Sequence, residues 1–148
     1  MPSIMRNIHI ISRCCAMFRM EKLRNDDLKA SHYSYVYAIS LHPGMTQDQL
    51  ARHLCLNKST VARGLAYLEE VGYVERRPSE TDKRVFLLYP TQKMLDVLPE
   101  VRSITRDWNS SITEDLSEDE LNAFCNTLEK LALRAREITE NREEKKQP

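Results

Sequence analysis

Between Thr46 and Thr91 the chain switches from helical to alternating apolar spacing, and that switch restricts the fold more than any other feature. Thr46-Gln-Asp-Gln49 has the form of a capping box, in which a threonine hydroxyl and a glutamine amide satisfy the first free N–H groups of a helix. Leu50, Ala51 and Leu54 give that helix its buried side. Cys55-Leu56-Asn57 separates it from a second helix, Lys58 to Val71. Asn57 suits the N-cap of this helix, Gly72 suits its C′ position, and Val61, Leu65 and Leu68 face inward. Tyr73 to Arg77 then reads as a strand, Pro78 to Lys83 as a polar turn, and Arg84 to Tyr89 as a second strand. Two capped helices followed at once by a basic hairpin leave few alternatives.

On either side the spacing is helical. Ile4, Ile8, Ile11, Cys15 and Phe18 form one apolar stripe, and Asn25-Asp26-Asp27 breaks it. A helix over Ser31 to Ser40 is expected to turn Tyr33, Val36, Tyr37 and Ile39 inward and to end at His42-Pro43-Gly44. After the hairpin, Pro90-Thr91 starts a helix carrying Met94, Leu98, Val101, Thr105, Trp108 and Ile112. Ser117-Glu-Asp-Glu120 is a second capping box, and Leu121, Phe124, Leu128, Leu131, Ala135 and Ile138 follow at spacings of three and four. The expected organisation is an N-terminal helix over 1–30, a central lobe over 31–91, C-terminal helices over 92–140 and a polar tail over 141–148. The fold class is mainly α with a small β-wing.

Composition narrows the function. No apolar stretch approaches the length of a membrane span, and Arg6, His9 and Arg13 interrupt any leader-like run, so a cytoplasmic chain with no membrane partner is expected. Adjacent Cys14-Cys15, with Cys55 and Cys125, reads as reduced thiols rather than disulfides. The histidines form no evident ligand spacing, so neither metal nor cofactor is expected. No nucleophile elbow, phosphate loop or metal motif suggests an enzyme. Net charge is zero, but unevenly spread: +3 over residues 1–45, +1 over 46–91 and −4 over 92–148. Phosphate attraction must therefore come from local clustering of Lys58, Arg63, Arg76, Arg77, Lys83 and Arg84.

Helix, short turn, helix is the geometry that places a reader helix in a DNA major groove. Lys58, Ser59 and Thr60 occupy the first turn of the second helix, where backbone N–H groups and the helix dipole favour phosphate. Arg63 lies about a turn further on, off the apolar face, where a guanidinium can reach guanine O6 and N7. In the hairpin turn Asp82 can pair with Arg84, and an arginine there can enter a narrow minor groove. A rigid winged-helix module that docks proteins instead of DNA is the competing reading, and zero net charge is its best support.

Leu56-Asn-Lys-Ser-Thr-Val-Ala-Arg63, then Leu68-Glu-Glu-Val-Gly-Tyr-Val-Glu-Arg-Arg77 and Asp82-Lys-Arg84, resembles the multiple antibiotic resistance regulator (MarR) family over nearly the whole chain. The resemblance implies a winged helix-turn-helix regulator, most often a repressor, that binds a pseudo-palindromic operator. It implies a homodimer joined through long terminal helices, as the sustained stripes at both ends also suggest. It assigns Lys58, Ser59, Thr60 and Arg63 to groove and phosphate contacts, Arg84 to the minor groove, and Asp82 to orienting Arg84. Cys55 stands where the family commonly has glycine or another small residue. An effector crevice of the family's kind would be lined by Arg13, Met17, His32, Tyr33, Tyr37 and Trp108, a set suited to a small aromatic or phenolic ligand. Some relatives sense oxidants through an N-terminal thiol; Cys15 falls on the apolar stripe and Cys14 beside Arg13, so core packing is the expected role.

Overall fold

The computed structural model describes residues 3–24 and 27–144, with side chains to residue 139. Asn25 and Asp26 of the expected break, and residues 145–148 of the tail, lie outside the described residues. The chain forms two compact units, Met1–Trp108 and Asn109–Pro148. The first holds helix α1 (Ile4–Lys22), a 3-10 turn (Ala30–His32), α2 (Tyr33–Leu41), strand β1 (Met45–Thr46), α3 (Gln47–Leu54), α4 (Lys58–Glu70), β2 (Val74–Pro78) and β3 (Phe86–Pro90). Helix α5 (Gln92–Ile112) runs across the division, and α6 (Glu118–Glu144) belongs to the second unit.

α2 is the hub of the first unit. Tyr33, Tyr35, Val36, Ala38 and Ile39 are all buried, so the helix is covered nearly all round. That is why its spacing carries no clear inward stripe, and why Tyr37, expected inward, is only half-buried. Its first turn is the separate 3-10 segment, not α-helix as expected. Around it pack Leu50 and Ala51 of α3, Val61, Leu65 and Leu68 of α4, Leu88 of β3, and Met94, Val97, Val101 and Ile104 of α5.

The sheet is antiparallel in the order β1-β3-β2. β1 escapes a sequence reading because it is two residues long and its Thr46 also caps α3. Met45 pairs with Leu88, and Val74 to Pro78 pair with Pro90 to Phe86. The strands thus end later than expected: Arg84 lies in the turn, and Pro90 closes β3 instead of opening a helix. Thr91 caps α5 instead. Its Oγ1 accepts from the Met94 N–H at 3.3 Å, and its own N–H donates to the Tyr73 carbonyl at 3.0 Å. This one residue joins the base of the hairpin to the next helix.

In the second unit the Ser117 box forms as expected, with the Ser117 N–H donating to Glu120 Oε2 at 2.9 Å. Hydrogen bonds from Ser117 hold the Glu120 carboxyl below its ordinary range. Phe124, Leu128, Leu131 and Ile138 along α6 are exposed, as are Ile4, Ile8 and Ile11 on α1. Among the described residues no helix is long and apolar enough to cross a membrane.

Two predictions follow from the packing around α2. A Cβ on Gly64 of α4 would lie 2.7 Å from Tyr35 Oη and 2.8 Å from its Cζ, and Tyr35 is buried. Gly64→Ala gains about 1 kcal/mol of helix propensity but overpacks a site where such strain costs about 1–3 kcal/mol. Urea denaturation should therefore show a net loss of stability, part of which Tyr35→Phe restores in the double variant. The second concerns His32, whose Nδ1 accepts from the Lys29 N–H at 3.3 Å and whose ring stacks on Tyr67 at 5.0 Å. Burial, and then the Lys29 charge, lower its pKa from 6.5. As pH falls below that value the unfolded chain takes the proton first, so His32's contribution is full above it and lost below. Stability should drop between about pH 7 and pH 5 more steeply in the native chain than in His32→Gln.

Candidate nucleic-acid interface

The position of α4 is set by the two caps of α3 and by its own N-cap. Thr46 Oγ1 accepts from the Gln49 N–H at 3.2 Å, and Gln49 Oε1 accepts from the Thr46 N–H at 2.7 Å, so the capping box of α3 is complete. At the far end Cys55 adopts the left-handed conformation, with φ 52°. Its N–H donates to the Arg52 carbonyl at 3.2 Å and that of Leu56 to Ala51 at 3.0 Å, which reverses the chain. A Cβ there is strained relative to the glycine that related sequences commonly place in this turn. Asn57 then caps α4: its Oδ1 accepts from the Thr60 N–H at 2.8 Å and from the Ser59 hydroxyl at 2.9 Å.

On α4 the four expected contact residues differ in their present partners. Lys58 Nζ lies 2.8 Å from Asp48 Oδ2 of α3, with both side chains largely exposed. The Ser59 hydroxyl is engaged by the cap. Thr60 is half-buried, and its carbonyl accepts from Tyr35 Oη at 3.4 Å. Arg63 is exposed and has no ion pair among the described residues.

The hairpin divides its cations in the same way. Arg76 is half-buried, with Nε 3.0 Å from Glu69 Oε2 of α4 and Nη1 donating to Gln47 Oε1 of α3 at 3.2 Å. It pins the hairpin to both helices, a positioning role that its place in a basic run does not reveal. Arg77 pairs with Glu75 and lies over the Tyr89 ring at 4.5 Å. At the tip Asp82 Oδ1 accepts from the Arg84 N–H at 3.0 Å and from its Nε at 3.3 Å. The Val85 N–H bonds the Asp82 carbonyl at 3.0 Å and closes the turn. Arg84 is held at its base yet 92% exposed along its side chain, and Lys83 is exposed beside it. Four of the six cations of the cluster thus carry a carboxylate partner: Lys58, Arg76, Arg77 and Arg84. Exposed pairs such as those of Lys58 and Arg84 are worth about 0–1 kcal/mol, so phosphate can displace the acid there at small cost.

The residues expected to line an effector crevice have other neighbours. Tyr33 is buried beneath the Arg19 guanidinium at 4.8 Å, and burial pushes its phenol up to about 12. Trp108 packs on Phe18 at 5.5 Å. Arg13 and Met17 are exposed on α1, and Tyr37 is half-buried. His32 instead borders a cleft of about 540 Å³ with Tyr35, Arg63, Gly64 and Tyr67. Cys14, Cys55 and Cys125 are exposed free thiols and Cys15 is half-buried, so none of the four belongs to the buried core.

A MarR family profile matches residues 26–85. An uncharacterized HTH-type transcriptional regulator, YybA of Bacillus subtilis, is 31% identical over 69% of this chain and 68% of its own length. The crystal structure of MarR has a TM-score of 0.82 at 27% identity, over 94% of this chain and 95% of that one. A MarR family regulator from Listeria monocytogenes, complexed with 26mer DNA, has a TM-score of 0.85 at 23% identity, over 93% of this chain and 91% of that one.

The paired cations generate a prediction. Asp48→Asn should release Lys58 and raise affinity for duplex DNA by roughly two- to fivefold at low salt. Fluorescence anisotropy with a labelled duplex checks it, and the gain should vanish in Asp48→Asn/Lys58→Ala.

Proposed function

Since the chain belongs to the MarR family of transcriptional regulators, we propose that it is a cytoplasmic repressor reading double-stranded DNA as a homodimer on a pseudo-palindromic operator. The observation that carries this reading is the pair of presented arginines. Arg63 is exposed on α4 with no ion pair among the described residues, and Arg84 is oriented by Asp82 at the hairpin tip. The first suits base edges in a major groove and the second a minor groove, with Lys58, Ser59, Thr60, Arg77 and Lys83 on phosphates. The Listeria protein of the same fold was crystallised with DNA, which supports the same partner here. Enzymatic activity is not a property of this family.

Dimerisation draws its support from α1 and α6 taken separately. Each carries a stripe of exposed isoleucine, leucine or phenylalanine side chains, and Phe124 is 50% exposed. Contiguous apolar surface of this kind is rare on a monomer and marks an association face. A second lobe also doubles a basic footprint that zero net charge leaves small.

Selection of bound sequences from random duplexes should return an inverted repeat, with affinity falling steeply as salt rises. Arg63→Ala should lose about 1–3 kcal/mol of discrimination at one base pair per half-site, whereas Arg84→Ala should weaken binding to all operators containing a narrow minor groove. Unchanged operator affinity in both variants would refute the assignment of contacts. Salt-independent capture of a protein, with no affinity for DNA, would favour a protein-docking module.

A further inference from the structure

Away from the basic cluster, the fold brings together two histidines that are distant in sequence. His42 lies at the C-cap of α2 and His53 in the last turn of α3, and their ring centres stand 5.5 Å apart, edge to face. Both side chains are exposed, so the contact buries neither ring. They border an open cleft of about 450 Å³ whose other walls are Pro43, Gly44, Met45 and Gln49.

We propose that this cleft is a binding site for a divalent transition-metal cation of the nickel, copper and zinc class, held by the imidazoles of His42 and His53. The spacing fits. A ligating imidazole nitrogen sits about 2.0–2.1 Å from such an ion, and the ring centre lies about 1 Å further back. Two rings sharing one ion near the tetrahedral angle therefore have centres roughly 5 Å apart, so these exposed rings need only turn out of edge-to-face contact, without parting, to aim a nitrogen each at one ion. The donor chemistry selects the class: the lining offers imidazole, a thioether and an amide but no carboxylate, which disfavours magnesium and calcium. Water completes the coordination in the open cleft.

The backbone around both ligands is held. The His42 N–H donates to the Ala38 carbonyl at 3.0 Å, and the Gly44 N–H to Leu88 of β3 at 2.8 Å. Gly44 has φ +87°, and a Cβ there would lie 3.3 Å from Tyr89 Oη, so glycine is what lets this loop close on the sheet. His53 stands on a helix whose first turn is fixed by the Thr46 box. Two ligands on pre-organised backbone lose little freedom when they share an ion. The bound metal would tie the end of α2 to the end of α3, the helix that leads into α4.

The test uses the full chain and NiCl₂ in chelator-free buffer. Isothermal titration should show one nickel per chain that depends on both histidines. His42→Gln and His53→Gln, which keep side-chain bulk, should each weaken it at least about tenfold, while His9→Gln leaves it unchanged. Thiol binding would be common to all variants and is separated in this way. In a ¹H–¹⁵N histidine spectrum, substoichiometric Ni²⁺ should broaden the ring signals of His42 and His53 before those of His9 and His32. Nickel uptake equal in the native chain and the His42→Gln/His53→Gln variant, or broadening that spares these two rings, would overturn the proposal.

Discussion

The approach of Tyr35 to Gly64 decides where α4 lies. A side chain of any size at position 64 would meet the buried phenol ring, so only glycine lets α4 come down onto α2 at this distance. The Tyr35 hydroxyl then bonds the Thr60 carbonyl in the first turns of α4, and Val61, Leu65 and Leu68 seal the contact. A glycine inside a helix costs helical stability, and the cost is offset by packing a whole helix face. Because the apolar face of α4 is committed to α2 in this way, Lys58, Ser59 and Arg63 are left facing outward.

From that anchor the hairpin is seated by burial of Tyr73, Val74 and Leu88 and braced by polar links. Arg76 reaches Glu69 and Gln47, and Thr91 joins Gly72 and Tyr73 to the start of α5. β1, two residues long, adds the third strand and connects the loop after α2 to the sheet. These links hold the hairpin base while leaving its tip in solvent. At the tip a single carboxylate, Asp82, orders both the backbone and the guanidinium of Arg84. The exposed guanidinium is thereby partly pre-organised, and a side chain held in this way loses less entropy in any contact that it makes.

Charge in this lobe is stored as pairs. A chain of zero net charge can still present a basic face when its carboxylates sit beside the cations as weak, exposed partners, as Asp48 does for Lys58 and Asp82 for Arg84. Such partners lower the field at long range yet yield to phosphate at contact. In the proposed dimer, affinity would rest on contact geometry and on the number of lobes more than on steering from a distance.

Sequence alone determined the order of the helices and the hairpin, the two capping boxes, the Asn57 cap and the Asp82–Arg84 tip, because each rests on residues within a few positions of one another. It also determined which residues of α3 and α4 turn inward, since each helix buries one face only and its spacing is therefore readable. The interior of α2 was not readable in this way, because a helix covered nearly all round shows no period. Nor were the strand ends, which are set by register against β1 and by Thr91 rather than by local preference. Tertiary structure alone separated the cations that brace the lobe, such as Arg76, from those it presents, such as Arg63 and Arg84. It alone brought His42 beside His53 and Gly64 beneath Tyr35. The physical reason is the same in each case: these contacts join residues far apart in the chain, and their worth depends on distances that only the packed core can set.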